Sequence, residues 1–177
     1  MMWEQELLLW LHSHSTPFLD RVFIPTELIG SQLSFTILAV AVTAWHIVRR
    51  ERRQAIAWIV VSVAVFSLRF ALKMLVARAR PDLWPSPITE TTYAFPSGHA
   101  LGSSAFFPLL AWTVFAARSK RKWPWMALAV AAAFIVGVGR LYLGLHWPTD
   151  VLVGWGLGFS IAAGAIASLR SDRFHGM

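Results

Sequence analysis

Long apolar stretches alternate with short polar, often basic, connections along this chain. A helix needs about 20 mostly apolar residues to cross the hydrocarbon of a bilayer. Five stretches meet that measure: roughly Thr26 to Val48, Gln54 to Ala77, Ser97 to Ala117, Trp123 to Leu141 and Pro148 to Leu169. The pattern predicts an all-α integral-membrane bundle of about five transmembrane helices, and no repeat or low-complexity tract interrupts it. The stretch before Thr26 differs. Trp3, Leu7, Trp10 and Leu11 recur at helical spacing, with Glu4, Gln5 and His12 elsewhere on the wheel. Ser15-Thr16-Pro17 reads as a cap followed by proline at the first helical position, and Pro25 stops the run of Phe18, Leu19, Val22 and Phe23. These pieces are short and polar, so they predict helices lying in the interface. The alternative is one broken sixth span. The expected organisation is a single membrane-embedded domain over 1–177, with 1–25 interfacial and 26–170 forming the bundle.

Composition agrees with this pattern. Of 177 residues, 56% are hydrophobic and 14% charged, where soluble domains carry about 25% charged residues. The absence of cysteine excludes disulfides and thiolate metal sites. A net charge of +7 raises nucleic acid as a partner. The basic residues sit between apolar spans, however, which points to the bilayer as partner and to no nucleic acid. Glu4 and Glu6 near the N-terminus, with no basic run, predict that the first segment is retained.

The connections set the orientation. Arg49, Arg50, Arg52 and Arg53 lie between the first two spans. Arg118, Lys120, Arg121 and Lys122 lie between the third and fourth, and Arg170 and Arg173 follow the fifth. With five spans, these ten of the sixteen basic residues share one side, expected to be cytoplasmic together with the C-terminus. Trp45, Trp123 and Trp125 then mark the inner interface, and Trp84 and Trp147 the outer one.

The remaining cations are Arg21, Arg69, Lys73, Arg78, Arg80 and Arg140. All but Arg21 fall toward the outer ends of spans two and four. Charges within a span are costly and usually mark function, although snorkelling is the ordinary explanation of any single one. Arg69 lies about 22 Å up a helix from Gln54. It has two candidate roles, pairing with Glu27 or supporting a site. Lys73 and Arg80 are two helical turns apart, so on one face their side chains can converge on an anion before Pro81 ends the helix. Pro96-Ser97-Gly98-His99 follows a loop containing Pro85, Pro87, Thr89, Thr91 and Thr92, and it opens the third span. A helix N-terminus offers free N–H groups to phosphate. Ser97 can cap it, Gly98 lets the backbone approach a ligand, and His99 can reach a leaving oxygen. Arg140 ends the fourth span, His146 lies in the short outer loop, and Asp150 falls in the first turn of the fifth. A carboxylate four residues on can hold one imidazole nitrogen and leave the other as nucleophile. Each segment alone has an ordinary structural reading. The basic loops, independently of these motifs, put all three on one side.

Taken together, Lys73 through Arg80-Pro81, Pro96-Ser97-Gly98-His99, and Arg140 through His146 to Asp150 resemble the three signature motifs of the type 2 phosphatidic acid phosphatases. That superfamily also contains lipid phosphate phosphatases, bacterial acid phosphatases and vanadium haloperoxidases. The resemblance implies that His146 attacks phosphorus and Asp150 orients it. It implies that His99 protonates the leaving alkoxide and then activates water. Lys73, Arg80, Ser97, the Gly98 backbone and Arg140 would hold the phosphoryl oxygens, with no metal and no cofactor. One departure stands out. The family often has serine where this chain has Gly139, which removes one hydroxyl contact to phosphate. Many bacterial members have six spans, and here the chain is expected to begin at the interfacial helix instead.

The implied protein is a lipid phosphate phosphatase of the bacterial inner membrane, its site on the periplasmic side. Phosphatidic acid, phosphatidylglycerophosphate and undecaprenyl pyrophosphate all fit as substrates. Two alternatives use the same cations: a lipid phosphotransferase, or a protein that binds or moves anionic lipids without turnover.

Overall fold

The computed structural model describes residues 2–86, 88, 90–115, 119 and 121–171. Pro87, Thr89, Arg118, Lys120 and Arg173, and the expected end of the third span at Ala117, lie outside the described residues. Among the described residues every regular element is helical. The order is α1 (Met2–Ser13), α2 (Pro17–Phe23), α3 (Thr26–Ile29), α4 (Gln32–Val48), α5 (Arg52–Val76), α6 (Gly98–Leu110), a π-helical turn (Ala111–Phe115), α7 (Trp123–Tyr142) and α8 (Pro148–Ser171).

Local chemistry sets several of these boundaries. Thr16 accepts a hydrogen bond from the Leu19 N–H at 3.3 Å and Pro17 opens α2, as the cap pattern predicts. Ser31 accepts from the Ser34 N–H at 3.1 Å and starts α4. Ala77 adopts a left-handed conformation (φ 46°) and closes α5. Arg80 therefore stands outside the helix, and the expected two-turn face shared with Lys73 does not exist.

Among the described residues three helices, α5, α7 and α8, are individually long and apolar enough to cross a membrane. A fourth span results if Pro17–Ile29 and Gln32–Val48, bent by 58°, count as one. The expected first span from Thr26 is thus divided. Gly30 and Ser31 interrupt it, and the continuous helix begins only at Gln32. The chain is a multi-pass, all-helical membrane protein, and five crossings are more than helix length and apolarity alone establish.

α6 is buried along almost its whole length. Its lining explains why it can carry Ser103 and Ser104: both hydroxyls donate to the Ala100 carbonyl, at 3.3 and 2.6 Å, so no polar atom meets lipid. α8 lies directly against it. A Cβ at Gly154 would come within 2.9 Å of the Ser97 carbonyl oxygen, and one at Gly158 would overlap the Ser104 hydroxyl. Small residues four apart let the two backbones approach. Below this contact, Phe35, Trp58, Phe106, Leu109 and Trp112 fill the core, and the Trp58 indole donates to the buried Thr113 hydroxyl at 3.1 Å.

The two ends of the bundle differ. At one, Lys122 and Arg170 cover the Trp112 ring and Arg53 reaches the Ser168 carbonyl. The other gathers the three sequence motifs.

Candidate active site

The N–H of Ser97 donates to the Asp150 carbonyl at 3.0 Å, which ties the start of α6 to the first turn of α8. Ser97 also caps α6 by accepting from the Ala100 N–H. His146 is almost fully buried in the loop between α7 and α8. Its Nδ1 lies 3.6 Å from Asp150 Oδ2, and its Nε2 lies 3.1 Å from Arg80 Nη1. The ring therefore sits between a carboxylate, just beyond hydrogen-bond distance, and a cation that donates to it. Asp150 Oδ2 accepts from the Trp147 N–H at 2.9 Å, and Oδ1 accepts from Arg78 Nη1 at 2.6 Å.

Lys73 and Arg80 do converge, but through the loop before α6 rather than along a helix. Lys73 Nζ donates to the Thr92 hydroxyl at 3.0 Å and to the Tyr93 carbonyl, and Arg80 Nε donates to the Thr92 carbonyl at 2.7 Å. Arg80 also donates to the Leu145 carbonyl at 2.6 Å, beside His146. Arg140 is fully buried and carries a carboxylate on each terminal nitrogen, Glu27 on Nη1 and Glu90 on Nη2. Glu90 reaches across to Arg80 at 3.1 Å. Glu27 reaches across to His99, whose Nε2 lies 3.1 Å from its carbonyl and 3.5 Å from its carboxylate. A continuous chain of contacts thus runs from His99 through Glu27, Arg140, Glu90 and Arg80 to His146.

All eight sequence-predicted site residues come to this end of the bundle. Arg69 does not pair with Glu27. It bonds Gln32, and its guanidinium lies against Gly98, where a Cβ would come within 2.9 Å of Cζ. Gly139 has no room for the family's serine, because a Cβ there would overlap the Thr26 hydroxyl. Glu4, Thr92 and the pairings of Glu27 and Glu90 with Arg140 escaped sequence reasoning. The only hint was acidic residues placed beside otherwise apolar spans.

Burial, followed by the charges of Arg80, Arg140 and Lys73, holds the His146 imidazole well below its ordinary 6.5. The ring is thus neutral at physiological pH, and its Nε2 lone pair faces Arg80 Nη1. Lys73, Arg80, Glu90, Phe70, Met74 and Tyr93 line a cavity of about 560 Å³ that joins charged groups to apolar wall, and Arg80 connects it to the buried His146. A separate groove of about 380 Å³ between α4 and α5 has an almost wholly apolar lining and none of these charges. Among the described residues, no three His, Asp or Glu side chains converge as metal ligands do.

A buried imidazole between carboxylate and guanidinium, with a second histidine and further cations nearby, suits attack on phosphorus. The sequence matches the model of the PAP2 superfamily over residues 57–173. The chain belongs to the PAP2 superfamily. It is 30% identical over 145 residues to phosphatidylglycerophosphatase B of Bacillus subtilis, covering 80% of this chain and 71% of that one. It is 34% identical over 117 residues to undecaprenyl-diphosphatase of Sulfolobus acidocaldarius, covering 63% of this chain and 53% of that one. The crystal structure of the transmembrane PAP2 type phosphatidylglycerolphosphate phosphatase from Bacillus subtilis superposes with a TM-score of 0.87 at 25% identity, covering 96% of this chain and 86% of that one. This PAP2 protein is accordingly a membrane phosphatase, and its named relatives act on lipid phosphates.

Proposed function

We propose that this PAP2 protein hydrolyses a lipid phosphomonoester through a phosphohistidine on His146. The observation that carries the reading is the two-sided setting of His146, with Nδ1 toward Asp150 and Nε2 toward Arg80 and the cation cluster. In the first step Nε2 attacks phosphorus, the P–O ester bond breaks, and His99 gives the leaving alkoxide a proton. In the second, water attacks the phosphohistidine, its proton passes to His99, and the P–N bond breaks to release phosphate. Lys73, Arg80, Arg140 and the N-terminal turn of α6 at Ser97 and Gly98 stabilise the equatorial oxygens. No step needs a metal.

Arg140 pairs with Glu27 and Glu90, and Arg80 with Glu90. Phosphatidylglycerophosphate, the lipid in the name of a relative that matches 80% of this chain, is the preferred substrate. Phosphatidic acid follows, then undecaprenyl pyrophosphate.

The bundle is read as a single domain with five crossings, with α1 and α2 in the interface, the basic end cytoplasmic and the site periplasmic. The decisive experiment quenches the purified protein in base during turnover of ³²P-labelled phosphatidylglycerophosphate. A base-stable, acid-labile label is expected on the parent and absent from His146→Ala. Normal phosphate release by His146→Ala sinks the mechanism. A labelled second lipid in place of free phosphate identifies a phosphotransferase. EDTA is expected to leave turnover intact and vanadate to inhibit it.

A further inference from the structure

One buried carboxylate near the site has no place in the chemistry above. Glu4, on α1, is fully buried and lies 145 residues from its partner Thr149. Its Oε1 accepts from the Thr149 N–H at 3.1 Å and from the Thr149 hydroxyl at 2.7 Å. Its Oε2 accepts from Arg78 Nη2 at 2.7 Å. Arg78 turns its other nitrogen, Nη1, to Asp150 Oδ1 at 2.6 Å and to the Thr149 hydroxyl at 2.7 Å. Asp150 thereby keeps Oδ2 for the Trp147 N–H and for the face of His146.

Docking α1 does not explain a buried carboxylate. Leu8 on the same helix is fully buried and supplies apolar contact, and an apolar side chain at position 4 would avoid the cost of desolvating a charge. Burial raises the proton affinity of Glu4, but hydrogen bonds from Thr149 and Arg78 outweigh it, so the carboxyl lies below its ordinary value. Glu4 is therefore an anion matched to one guanidinium and one helix start.

We propose that Glu4 is a positioning residue for the phosphatase reaction, anchoring Arg78 and the first turn of α8 so that Asp150 presents Oδ2 to His146. Arg78 bridges two carboxylates. Without the charge of Glu4, Arg78 is free to grip Asp150 with both nitrogens, drawing Oδ2 away from the imidazole. Thr149 loses the acceptor that fixes the turn carrying Asp150. The effect falls on orientation and on support of the imidazolium-like nitrogen in the transition state, not on substrate binding. The inference rests on the His146–Asp150 reading given above.

The test is a double-mutant cycle on the full chain with short-chain phosphatidic acid in mixed micelles. Glu4→Gln, Asp150→Asn and their combination are compared with the parent, together with Glu4→Asp and Leu8→Ala. Glu4→Gln is expected to lower kcat about 10–100-fold, the scale on which partners behind a functional histidine act. Its KM stays within about twofold, and the combined variant is no slower than Asp150→Asn by more than about twofold. Glu4→Asp keeps the charge and is expected to recover part of kcat, so it reads the same cycle if Glu4→Gln folds poorly. Leu8→Ala is expected to lower the thermal unfolding midpoint while keeping kcat. Losses that multiply in the combined variant, a change confined to KM, or parent-like kcat in Glu4→Gln overturn the role of Glu4 while Asp150→Asn remains impaired. A fully active Asp150→Asn instead overturns the underlying mechanism, and the positioning role of Glu4 with it.

Discussion

In the proposed mechanism the reactivity of His146 is set by its neighbours. A protonated imidazole has no lone pair for phosphorus, so activity falls as the ring gains a proton. Because burial and then Arg80, Arg140 and Lys73 depress its proton affinity, the neutral form persists well below pH 6.5. The acid limb of kcat/KM is therefore expected below that value. Arg80→Gln removes one of the depressing charges, so the limb should move upward toward 6.5 along with a rise in KM. An unmoved limb in that variant assigns it to another group. Glu27 sets a second residue-scale test. It occupies Arg140 and faces His99 Nε2 with its carbonyl and carboxylate, so Glu27→Gln frees a cation for phosphate but loosens the contact that orients the His99 ring. Tighter vanadate inhibition with a lower kcat is the expected pair of changes in inhibition and steady-state assays. Position 139 offers a packing test. Gly139→Ser meets the Thr26 hydroxyl and is expected to destabilise by about 1–3 kcal/mol. Adding Thr26→Ala, which clears that hydroxyl, should recover most of the loss in thermal unfolding.

At the level of elements, the α6–α8 contact brings the N-terminal turn of α6 to Asp150. The contact depends on three backbone features: the Ser97 N–H to Asp150 carbonyl bond, and the missing side chains at Gly154 and Gly158. Gly154→Val pushes on the Ser97 carbonyl and the Ala100 methyl group, so it is expected to abolish most activity and lower the unfolding midpoint. Gly156→Ala, two residues on, meets nothing within 4 Å and serves as the control, with activity and midpoint retained. Equal losses in the two variants would show that the close approach of α6 is not what decides. The end of α5 teaches a related lesson. Lys73 is helical and Arg80 is not, yet both reach Thr92. Their seven-residue spacing signalled that the two side chains converge, although the helical reason for it was wrong. The left-handed turn at Ala77 frees the chain to fold Arg80 back over the site.

For the whole molecule, the expected topology is open to labelling because the chain has no native cysteine. Arg50→Cys, exposed at the basic end, should resist an impermeant thiol reagent in intact cells. Thr91→Cys, exposed in the loop before α6, should react. The reverse pattern would invert the orientation. The sequence by itself determined the membrane class, the helical architecture, and the three motifs that hold the eight candidate site residues. These are local properties: apolar runs set spanning length, and caps, prolines and short spacings set where helices begin. Only the tertiary structure decided the electrostatic partners. Glu27 and Glu90 bind Arg140 across 113 and 50 residues, and Glu4 binds Thr149 across 145. No periodicity encodes such pairings, because they depend on which helix ends packing brings together. The tertiary structure also divided the expected first span and buried α6 in the centre. A hydropathy pattern records how apolar a segment is, but not whether lipid or protein surrounds it.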